Sequence, residues 1–519
     1  MGSPVDRAWV NGRVFTGTGF AEGFLVEDGE VRVVGRDDAV RRGKGTGTEM
    51  VDLRGRLVLP GLIDLHMHLT DTLLEKEGVN LRGARSRDEL AERVRSRLTP
   101  GSSVPLVGVG WDSSGWTDAR DPTRDELDRI SPEQAMILLH VSMHAAVLNS
   151  RALVECGFDE RTTDPPGGRI GRDGVGRLNG LLYDSALAGL SRSAASSQWV
   201  RANLPAYQKL LSDAASLGLT TICPVLATPE EVTVVATLSG AQLPVRIRFY
   251  LDLRDLDRFG SLPAPRPDSG WKITGVKAIT DGAFGIRTAW LSAPYTDAPG
   301  TAGYPIWDDA DLERALQEAK ALGLPPALHA IGDRAIGRVL TMLERVETAG
   351  GPRLEHASLT PPALWHALEK IRPHLVVQPH FVETDRWVVA RLGPERARWT
   401  YAFRTLTDLG FQLGGSSDSP VEPLDPWTGL RAAVLRAPRS EFGRFTSSER
   451  LAPIEAFQLY TRNAGPVLDE SGLGRIAAGA PADFVVTSTP SLDAALASDR
   501  PPVVETWVGG RRKFPAPAA

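Results

Sequence analysis

The chain has 519 residues, of which 42% are hydrophobic and 24% charged, and its 59 basic and 64 acidic side chains give a formal net charge of -5. This length exceeds one ordinary domain and suits a barrel of roughly 250 residues or more with insertions and a smaller companion domain. The charges are spread along the chain without a basic tract, which excludes nucleic acid as an expected partner.

Cys156 and Cys223 are the two cysteines, too few for a disulfide scaffold or for a zinc site made of thiolates. Any metal must therefore be bound by His, Asp, Glu or Lys side chains. The first residues contain no basic segment followed by an apolar one, and no window approaches the ~18 apolar residues of a membrane span. We therefore expect a cytoplasmic protein that interacts with neither membranes nor nucleic acid.

Short apolar runs separated by turn residues occupy both ends of the chain. Near the start, Asp28 and Gly29 form a hairpin dipeptide between two such runs. Near the end, β-branched runs are again broken by Gly and Pro, as in ADFVVTSTP and PPVVETWVGGRRKF. We predict that residues 1–58 and 466–519 together form a small composite β-sandwich domain.

Between these ends, residues 59–465 alternate helical segments with short apolar runs, which is the pattern of parallel βα units. In the clearest unit, Leu312, Leu316 and Ala319 fall on one face of a helix that Gly323 ends. Eight apolar runs are candidate strands, the number that a closed α/β barrel needs: LPGLIDLHMHL, TTICPVLA, VRIRFYLDL, ITGVKAIT, PPALHA, RLEHAS, HLVVQPHF and FQLGGSSDS. We therefore predict an α/β fold built on a TIM-type (β/α)8 barrel.

A long segment at residues 70–200 interrupts the alternation directly after the first predicted strand. It contains apolar runs and a stretch rich in Gly and Pro, DPPGGRIGRDGVG. Segments inserted at the carboxyl end of a barrel strand lie over the active-site mouth. We expect this insertion to form part of the substrate pocket.

Metal-capable side chains end several of the predicted strands. His66 and His68 are two residues apart in LIDLHMHL, so a strand points both imidazoles to the same face. His329 ends PPALHA, His356 ends RLEHAS, and Asp418 ends FQLGGSSDS. Each of them alone can be a packed core or loop residue, but together they occupy the end of a barrel where active sites are built. The sequence thus predicts a metal centre at the barrel mouth.

Longer motifs carry a family resemblance that extends over nearly the whole chain. They are VLPGLIDLHMHL, VKAITDGAFGIRTAWL, GYPIWDDADL, ALHAIGDRAI, RLEHAS, VVQPHF, GGSSDSPV and LGRIAAGAPADFVV, in this order. In these motifs the chain resembles the amidohydrolase superfamily, and specifically the amidohydrolase 3 (YtcJ-like) group. The resemblance implies a metal-dependent hydrolase, and it says little about the substrate.

The resemblance implies six metal-binding residues: His66, His68, Lys277, His329, His356 and Asp418. His66 and His68 would hold the more buried ion, and His329 and His356 would hold a second one. Lys277 stands where many superfamily members carry a carboxylated lysine that bridges two metals; a buried or ion-paired lysine is the alternative. Asp418 is expected to contact a metal and to act as the catalytic proton carrier, with an N-cap as its alternative. We expect one or two divalent ions per chain, zinc ahead of manganese, iron or cobalt.

Four further residues are predicted to contact the substrate: His144, Arg287, His380 and Trp111. The two histidines can point over the metals toward the substrate carbonyl or the developing oxyanion, and Arg287 can orient the ligand. Trp111 lies in a predicted loop on the pocket side, where it suits an apolar or aromatic substrate group. For the histidines and for Trp111, packing in the core is the alternative.

These expectations define a metal-dependent hydrolase that cleaves a non-peptide C–N bond of amide type in a small molecule, through hydroxide activated by the metal. One alternative is a metal-dependent deaminase on the same barrel, but such relatives carry a helix Glu in an HxxE arrangement, whereas Asp333 stands four positions after His329 here. Another alternative is an inactive scaffold or binding protein, which the complete ligand set disfavours. A homodimer is an open expectation, since dimers are common among soluble enzymes.

Overall fold

The computed structural model describes residues 5–99, 101–102, 104–187, 190, 203–239, 243–266, 269–436 and 440–515. The chain starts with short strands joined by turns: β1 (Arg7–Val10), β2 (Arg13–Phe15), β3 (Phe20–Ala21), β4 (Gly23–Glu27), β5 (Glu30–Gly35), β6 (Glu49–Asp52) and β7 (Leu57–Pro60). β4 and β5 pair antiparallel across Asp28 and Gly29, whose φ angles of 52° and 80° are both left-handed. This hairpin turn confirms the one predicted from the Asp-Gly dipeptide.

The insertion forms a separate six-stranded sheet after the first barrel strand, β8 (Leu62–Met67). Its strands are β9 (Val79–Asn80), β10 (Leu106–Trp111), β11 (Met136–His140), β12 (Ala145–Leu148), β13 (Gly168–Arg172) and β14 (Leu178–Asp184). Ile137 and Leu139 enter one apolar cluster, whereas Met136 and Leu138 enter another. Because successive side chains of a strand point to opposite faces, both faces of this sheet are covered.

Eight parallel strands form the barrel. After β8 they are β15 (Leu219–Pro224), β16 (Arg246–Asp252), β17 (Trp271–Ile279), β18 (Pro326–Ala330), β19 (Arg353–His356), β20 (His374–Val377) and β21 (Leu413–Gly415). Neighbours pair in the order β21-β20-β19-β18-β17-β16-β15-β8. The loop after β21 returns to β8, where the Asp418 N–H donates to the His66 carbonyl at 2.7 Å. The eight predicted strands therefore form a nearly closed barrel, which confirms the TIM-type fold.

The α-helices of the described residues are Asp37–Gly43, Leu69–Glu77, Arg87–Arg95, Arg124–Ile130, Ser150–Glu155, Leu204–Ser216, Pro229–Leu238, Asp309–Ala321, Asp333–Arg345, Trp365–Ile371, Phe381–Thr384, Val388–Ala397, Phe403–Asp408, Pro426–Leu435, Glu441–Phe445, Pro453–Leu459, Ala464–Val467 and Leu492–Leu496. In Asp309–Ala321, Leu312, Leu316 and Ala319 are buried on one face, as their spacing predicted. Asp308 begins this helix by accepting a backbone hydrogen bond from its first turn. Across the described residues, the helices lack the length and apolar character needed to cross a membrane.

The last strands join the first ones. They are β22 (Phe484–Thr487), β23 (Val503–Val508) and β24 (Arg511–Phe514). They complete a sheet of order β24-β23-β22-β7-β2-β3, beside a second sheet of order β5-β4-β1-β6. Trp9 stacks on Phe24 at 4.9 Å and contacts the Phe484 ring at 5.1 Å, so strands from both ends share one apolar core. Residues 1–58 and 466–519 stay the proposed extent of this domain, whose first boundary falls within β7.

Candidate metal centre

Side chains from separate strand ends meet at the carboxyl end of the barrel. Asp418 Oδ1 lies 3.2 Å from His66 Nε2 and 3.1 Å from His68 Nε2. Each of the three residues offers one ligand atom, and these atoms all lie within 4.8 Å of one another. Imidazole nitrogens and a carboxylate oxygen at this spacing fit a divalent transition metal.

Two more histidines lie beside the same point. The ring centroid of His356 is 4.4 Å from that of His329 and 5.0 Å from that of His66. Burial, reinforced by neighbouring histidines and by Lys277, holds the pKa of both His329 and His356 well below its ordinary value. Both rings are therefore neutral imidazoles, the form that binds a metal.

Lys277 reaches the centre from β17. It is 1% exposed, and its Nζ lies 3.3 Å from His66 Nε2. Burial lowers the pKa of this amine to about 8, although Glu355 and Asp418 act in the opposite direction. The neutral amine is therefore far more populated than in an exposed lysine, and only the neutral amine is nucleophilic.

The backbone at two of these residues has a strained conformation. His356 and Asp418 have left-handed φ angles of 69° and 59°, which cost about 1–3 kcal/mol at a residue other than Gly. The hydrogen bond from the Asp418 N–H to the His66 carbonyl holds the loop in place. Burial would raise the pKa of Asp418, but the adjacent imidazoles of His66, His68 and His356 keep it well below its ordinary value. Asp418 is therefore an ionised carboxylate.

A buried ion pair in β19 fixes the orientation of His66. His66 Nδ1 donates to Glu355 Oε2 at 2.5 Å, and Arg353 Nε donates to Glu355 Oε1 at 2.8 Å. Arg353 Nη2 also donates to the Leu65 carbonyl at 2.7 Å, so β19 contacts β8 through the barrel interior. Because Nδ1 carries the proton, Nε2 keeps the lone pair on the side of Asp418. Burial would raise the pKa of Glu355, but Arg353 and His66 lower it below its ordinary value.

The six predicted metal ligands line a cavity of about 350 Å³. The insertion supplies an apolar part of its wall, which includes Leu74, Ile137, Leu139, Met143 and Leu187. It also supplies His144, whose ring centroid lies 5.1 Å from that of His329. His144 Nδ1 donates to Asp184 Oδ1 at 2.9 Å, and Asp184 also accepts a hydrogen bond from the Tyr304 hydroxyl. The insertion thus forms part of the pocket, in keeping with its position in the chain.

Comparison with known proteins identifies the family of this chain. The sequence profile of the amidohydrolase family matches residues 49–514. The chain belongs to the amidohydrolase family.

This amidohydrolase is 33% identical to the Bacillus subtilis protein YtcJ, which is named as an amidohydrolase, over 90% of each chain. It is 26% identical to the N-substituted formamide deformylase of Arthrobacter pascens over 95% of each chain. Among solved structures, it is similar to an uncharacterised metal-dependent hydrolase from Pyrococcus horikoshii, with a TM-score of 0.77, 28% identity, and coverage of 93% of this chain and 98% of that one. A counterpart from Pyrococcus furiosus has a TM-score of 0.74, 30% identity and the same coverage. The family and these neighbours support hydrolase activity.

Buried polar residues that the sequence did not predict also contact the histidines of this amidohydrolase. Asp281 follows β17 and accepts backbone hydrogen bonds from Trp290, Ile331 and Gly332 at 2.8, 3.0 and 2.9 Å. Its Oδ1 lies 3.4 Å from His329 Nε2, and burial raises its pKa to about 7. The sequence signal that could have indicated Asp281 is its position directly after an apolar strand. Asp281 ties the end of β17 to the loop that carries His329.

Glu355 and Gln378 were missed in the same way. Glu355 belongs to the motif RLEHAS and Gln378 to the motif VVQPHF, and in each motif the histidine was the predicted site residue. Gln378 Oε1 accepts a hydrogen bond from His356 Nδ1 at 2.8 Å, as Glu355 does from His66. In both pairs the accepting side chain fixes which ring nitrogen is free.

The structure places two residues of this amidohydrolase that were expected to contact substrate outside the described lining of the cavity. Trp111 is not in a loop but ends β10, where it is 1% exposed and its Nε1 donates to the Leu138 carbonyl at 3.0 Å. It packs in the core of the insertion because its strand continues one residue further than the apolar run indicated. Arg287 lies outside the described cavity lining and pairs with Asp297 at 2.8 Å.

His380 is also absent from the described lining of the cavity. Its Nδ1 donates to Glu422 Oε2 at 2.5 Å, and Glu422 also accepts a hydrogen bond from Thr384. Burial would lower the pKa of His380, but Glu422 raises it above its ordinary value. Of the four residues predicted to contact substrate, His144 is therefore the one that the structure places in the cavity.

Proposed function

We propose that this amidohydrolase cleaves a non-peptide carbon–nitrogen bond of amide type in a small molecule. The convergence of His66, His68 and Asp418 on one point carries this proposal. The name of the Arthrobacter relative, N-substituted formamide deformylase, supports a substrate of this type.

The donor set fits one or two divalent ions, and we propose zinc because the available ligands are imidazole nitrogens and carboxylate oxygens. The proposed ligands are His66, His68, Lys277, His329, His356 and Asp418. Carboxylation of Lys277, which its low pKa favours, would add an anionic oxygen to this set. A bound ion of this kind lowers the pKa of water from 15.7 to about 7 and so supplies a nucleophile at neutral pH.

The remaining chemistry belongs to side chains of the protein. Asp418 accepts a proton from the attacking water on its carboxylate and delivers it to the leaving nitrogen as the C–N bond breaks. His144 is held through Nδ1 by Asp184, which leaves the lone pair of its other ring nitrogen to accept a hydrogen bond from the substrate amide N–H. The apolar residues of the insertion contact the substituent on the amide and exclude water from it.

The experiment combines metal analysis with a substrate panel of N-formyl and N-acetyl amines. We expect at least one divalent ion per chain and release of the primary amine. Asp418→Asn should lower kcat by about 10²–10⁴-fold while the far-UV circular dichroism stays that of the wild type. Asp333→Asn is the matched control, because Asp333 lies outside the described cavity lining and accepts a hydrogen bond from the Ser292 N–H at 2.9 Å.

The same assays separate the alternatives when amidine-bearing substrates are added to the panel. Release of ammonia from amidine-bearing substrates, with no amine released from amides, would favour a deaminase. A metal-free protein that hydrolyses no substrate would favour an inactive scaffold. Homodimerisation and a cytoplasmic location stay predictions from the sequence.

A further inference from the structure

Arg254 presents a guanidinium to the cavity, where burial lowers its pKa and the charge of Asp252, another lining residue, raises it. It follows β16 in the short 3₁₀ helix Leu253–Phe259, at the carboxyl end of the barrel. Its guanidinium carbon lies 4.8 Å from the centroid of the Trp307 ring, and its Nη2 makes a weak 3.5 Å contact with the Ile306 carbonyl. Within the described parts of the chain, no carboxylate oxygen lies within 4.0 Å of this group. Stacking on an aromatic ring positions a guanidinium and leaves its N–H edge free for an anion.

Most acidic residues that line the cavity have other partners. Glu230 and Asp255 both pair with Arg258, the former at 2.9 Å. Glu231 accepts backbone hydrogen bonds from two threonines at 2.9 and 3.0 Å. Asp184 accepts hydrogen bonds from a histidine and a tyrosine. These carboxylates are therefore occupied. Asp252 acts on Arg254 through its charge, but among the described residues no ion pair is formed with the Arg254 guanidinium, so its N–H groups can still bind a ligand.

A second groove, of about 760 Å³, lies against the outer side of the cavity. The two spaces share four lining residues: Ser185, Arg254, Ile306 and Trp307. The predicted metal ligands line the inner cavity and not the outer groove. A substrate with its amide at the metal centre and a chain of sufficient length would therefore pass Arg254 on the way to the groove.

We propose that Arg254 binds a carboxylate at the far end of the substrate. The substrate class is then an N-acyl or N-formyl compound with an acidic group separated from the scissile bond by an apolar segment. This inference rests on the proposed function, because it places the amide at the metal centre. The planar guanidinium donates two parallel hydrogen bonds, a geometry that a carboxylate matches; a phosphate offers related chemistry, and the experiment distinguishes the two.

The experiment measures binding and hydrolysis with the metal-loaded enzyme and three matched ligands. These are N-formyl-6-aminohexanoate, its neutral terminal methylamide and the corresponding terminal phosphonate. We expect the carboxylate to bind at least tenfold more tightly than the methylamide, and more tightly than the phosphonate, in titrations followed by tryptophan fluorescence. Arg254→Met should remove the preference for the carboxylate, and Arg254→Lys should retain part of it, since the charge remains without the planar geometry.

Arg334→Met is the matched control. The Arg334 guanidinium also stacks on a tryptophan, Trp290, at 4.5 Å, and it likewise has no carboxylate oxygen within 4.0 Å among the described residues, but it lies outside the cavity lining. This variant should keep the wild-type ratio of carboxylate to methylamide binding. Equal binding of the two ligands by the wild type, a preference that survives Arg254→Met, or tighter binding of the phosphonate would overturn the proposal. Carboxylate preference without any amide cleavage would instead refute the proposed hydrolysis and leave the role of Arg254 standing.

Discussion

Replacing Glu355 with glutamine tests whether the buried ion pair in β19 serves metal binding. The amide oxygen can still accept the hydrogen bond from His66 Nδ1, which lies 2.5 Å from Glu355 Oε2, but it no longer balances the charge of Arg353. Removing one partner of a buried ion pair costs about 3–5 kcal/mol of folding free energy. Weakening the group that orients a metal-binding histidine lowers metal affinity by about 10–100-fold. We therefore expect Glu355→Gln to show both losses.

Asp483→Asn is the control that separates these two effects. Asp483 is 2% exposed and accepts hydrogen bonds from Arg246 at 2.7 and 3.0 Å. It also accepts one from the Gly509 N–H, and neither partner is a predicted metal ligand. This variant should also lose stability, although less because the Arg246 side chain is 23% exposed, and it should keep the zinc affinity of the wild type.

The assays are urea unfolding of the metal-free proteins and competition for zinc with a chromophoric chelator. If Glu355→Gln lost stability as Asp483→Asn does but bound zinc with wild-type affinity, the positioning role of Glu355 would be refuted. Should the single variant fail to fold, the double variant Arg353→Met, Glu355→Leu removes both buried charges and should fold. It is then expected to bind zinc more weakly than the wild type.

Two other perturbations have defined outcomes. Burial raises the pKa of Asp385 to about 7, although the Tyr401 hydroxyl lowers it. When the pH is above 3.8, the ordinary pKa of an aspartate, the folded protein retains a proton that the unfolded chain releases. The free energy of unfolding therefore falls as the pH rises toward 7. Because the carboxyl group is partly exposed, solvent screening reduces the effect. We therefore expect the stability of Asp385→Asn relative to the wild type to be about 2 kcal/mol greater at pH 8 than at pH 5 in urea unfolding. An equal difference at the two pH values would contradict this reasoning. Removing the metal with a chelator should cost about 4.1 kcal/mol relative to protein at free zinc 1,000 times Kd, and an unchanged melting temperature would contradict the metal centre.

The parts of this structure that the sequence predicted depend on local signals. The eight barrel strands follow from apolar runs and helical spacing, and the residues that end them follow from motif order. Contact with the cavity depends instead on how the insertion and the barrel loops pack, which no local pattern encodes. Arg287 was expected in the pocket from its motif, yet Asp297, ten residues away, holds it elsewhere. Glu355 was overlooked because its partner His66 is 289 residues away in sequence and across the barrel interior.

The charged interior of this barrel argues for a link between metal binding and folding. Barrel interiors are usually filled by branched apolar side chains, and a buried ion pair is seldom more stable than an apolar replacement. We therefore expect Arg353, Glu355 and Lys277 to make the metal-free protein less stable than apolar residues of similar volume would, and we propose that these charges serve a bound ion.

Because a ligand bound only to the folded state stabilises it according to its affinity, each tenfold loss of affinity removes about 1.4 kcal/mol from the metal-bound protein. The destabilisation by Glu355→Gln should thus be larger with zinc than without it, by about 1.4 kcal/mol for each tenfold loss of affinity. The destabilisation by Asp483→Asn should be the same in both conditions, so the comparison isolates the contribution of the ion pair to the metal centre.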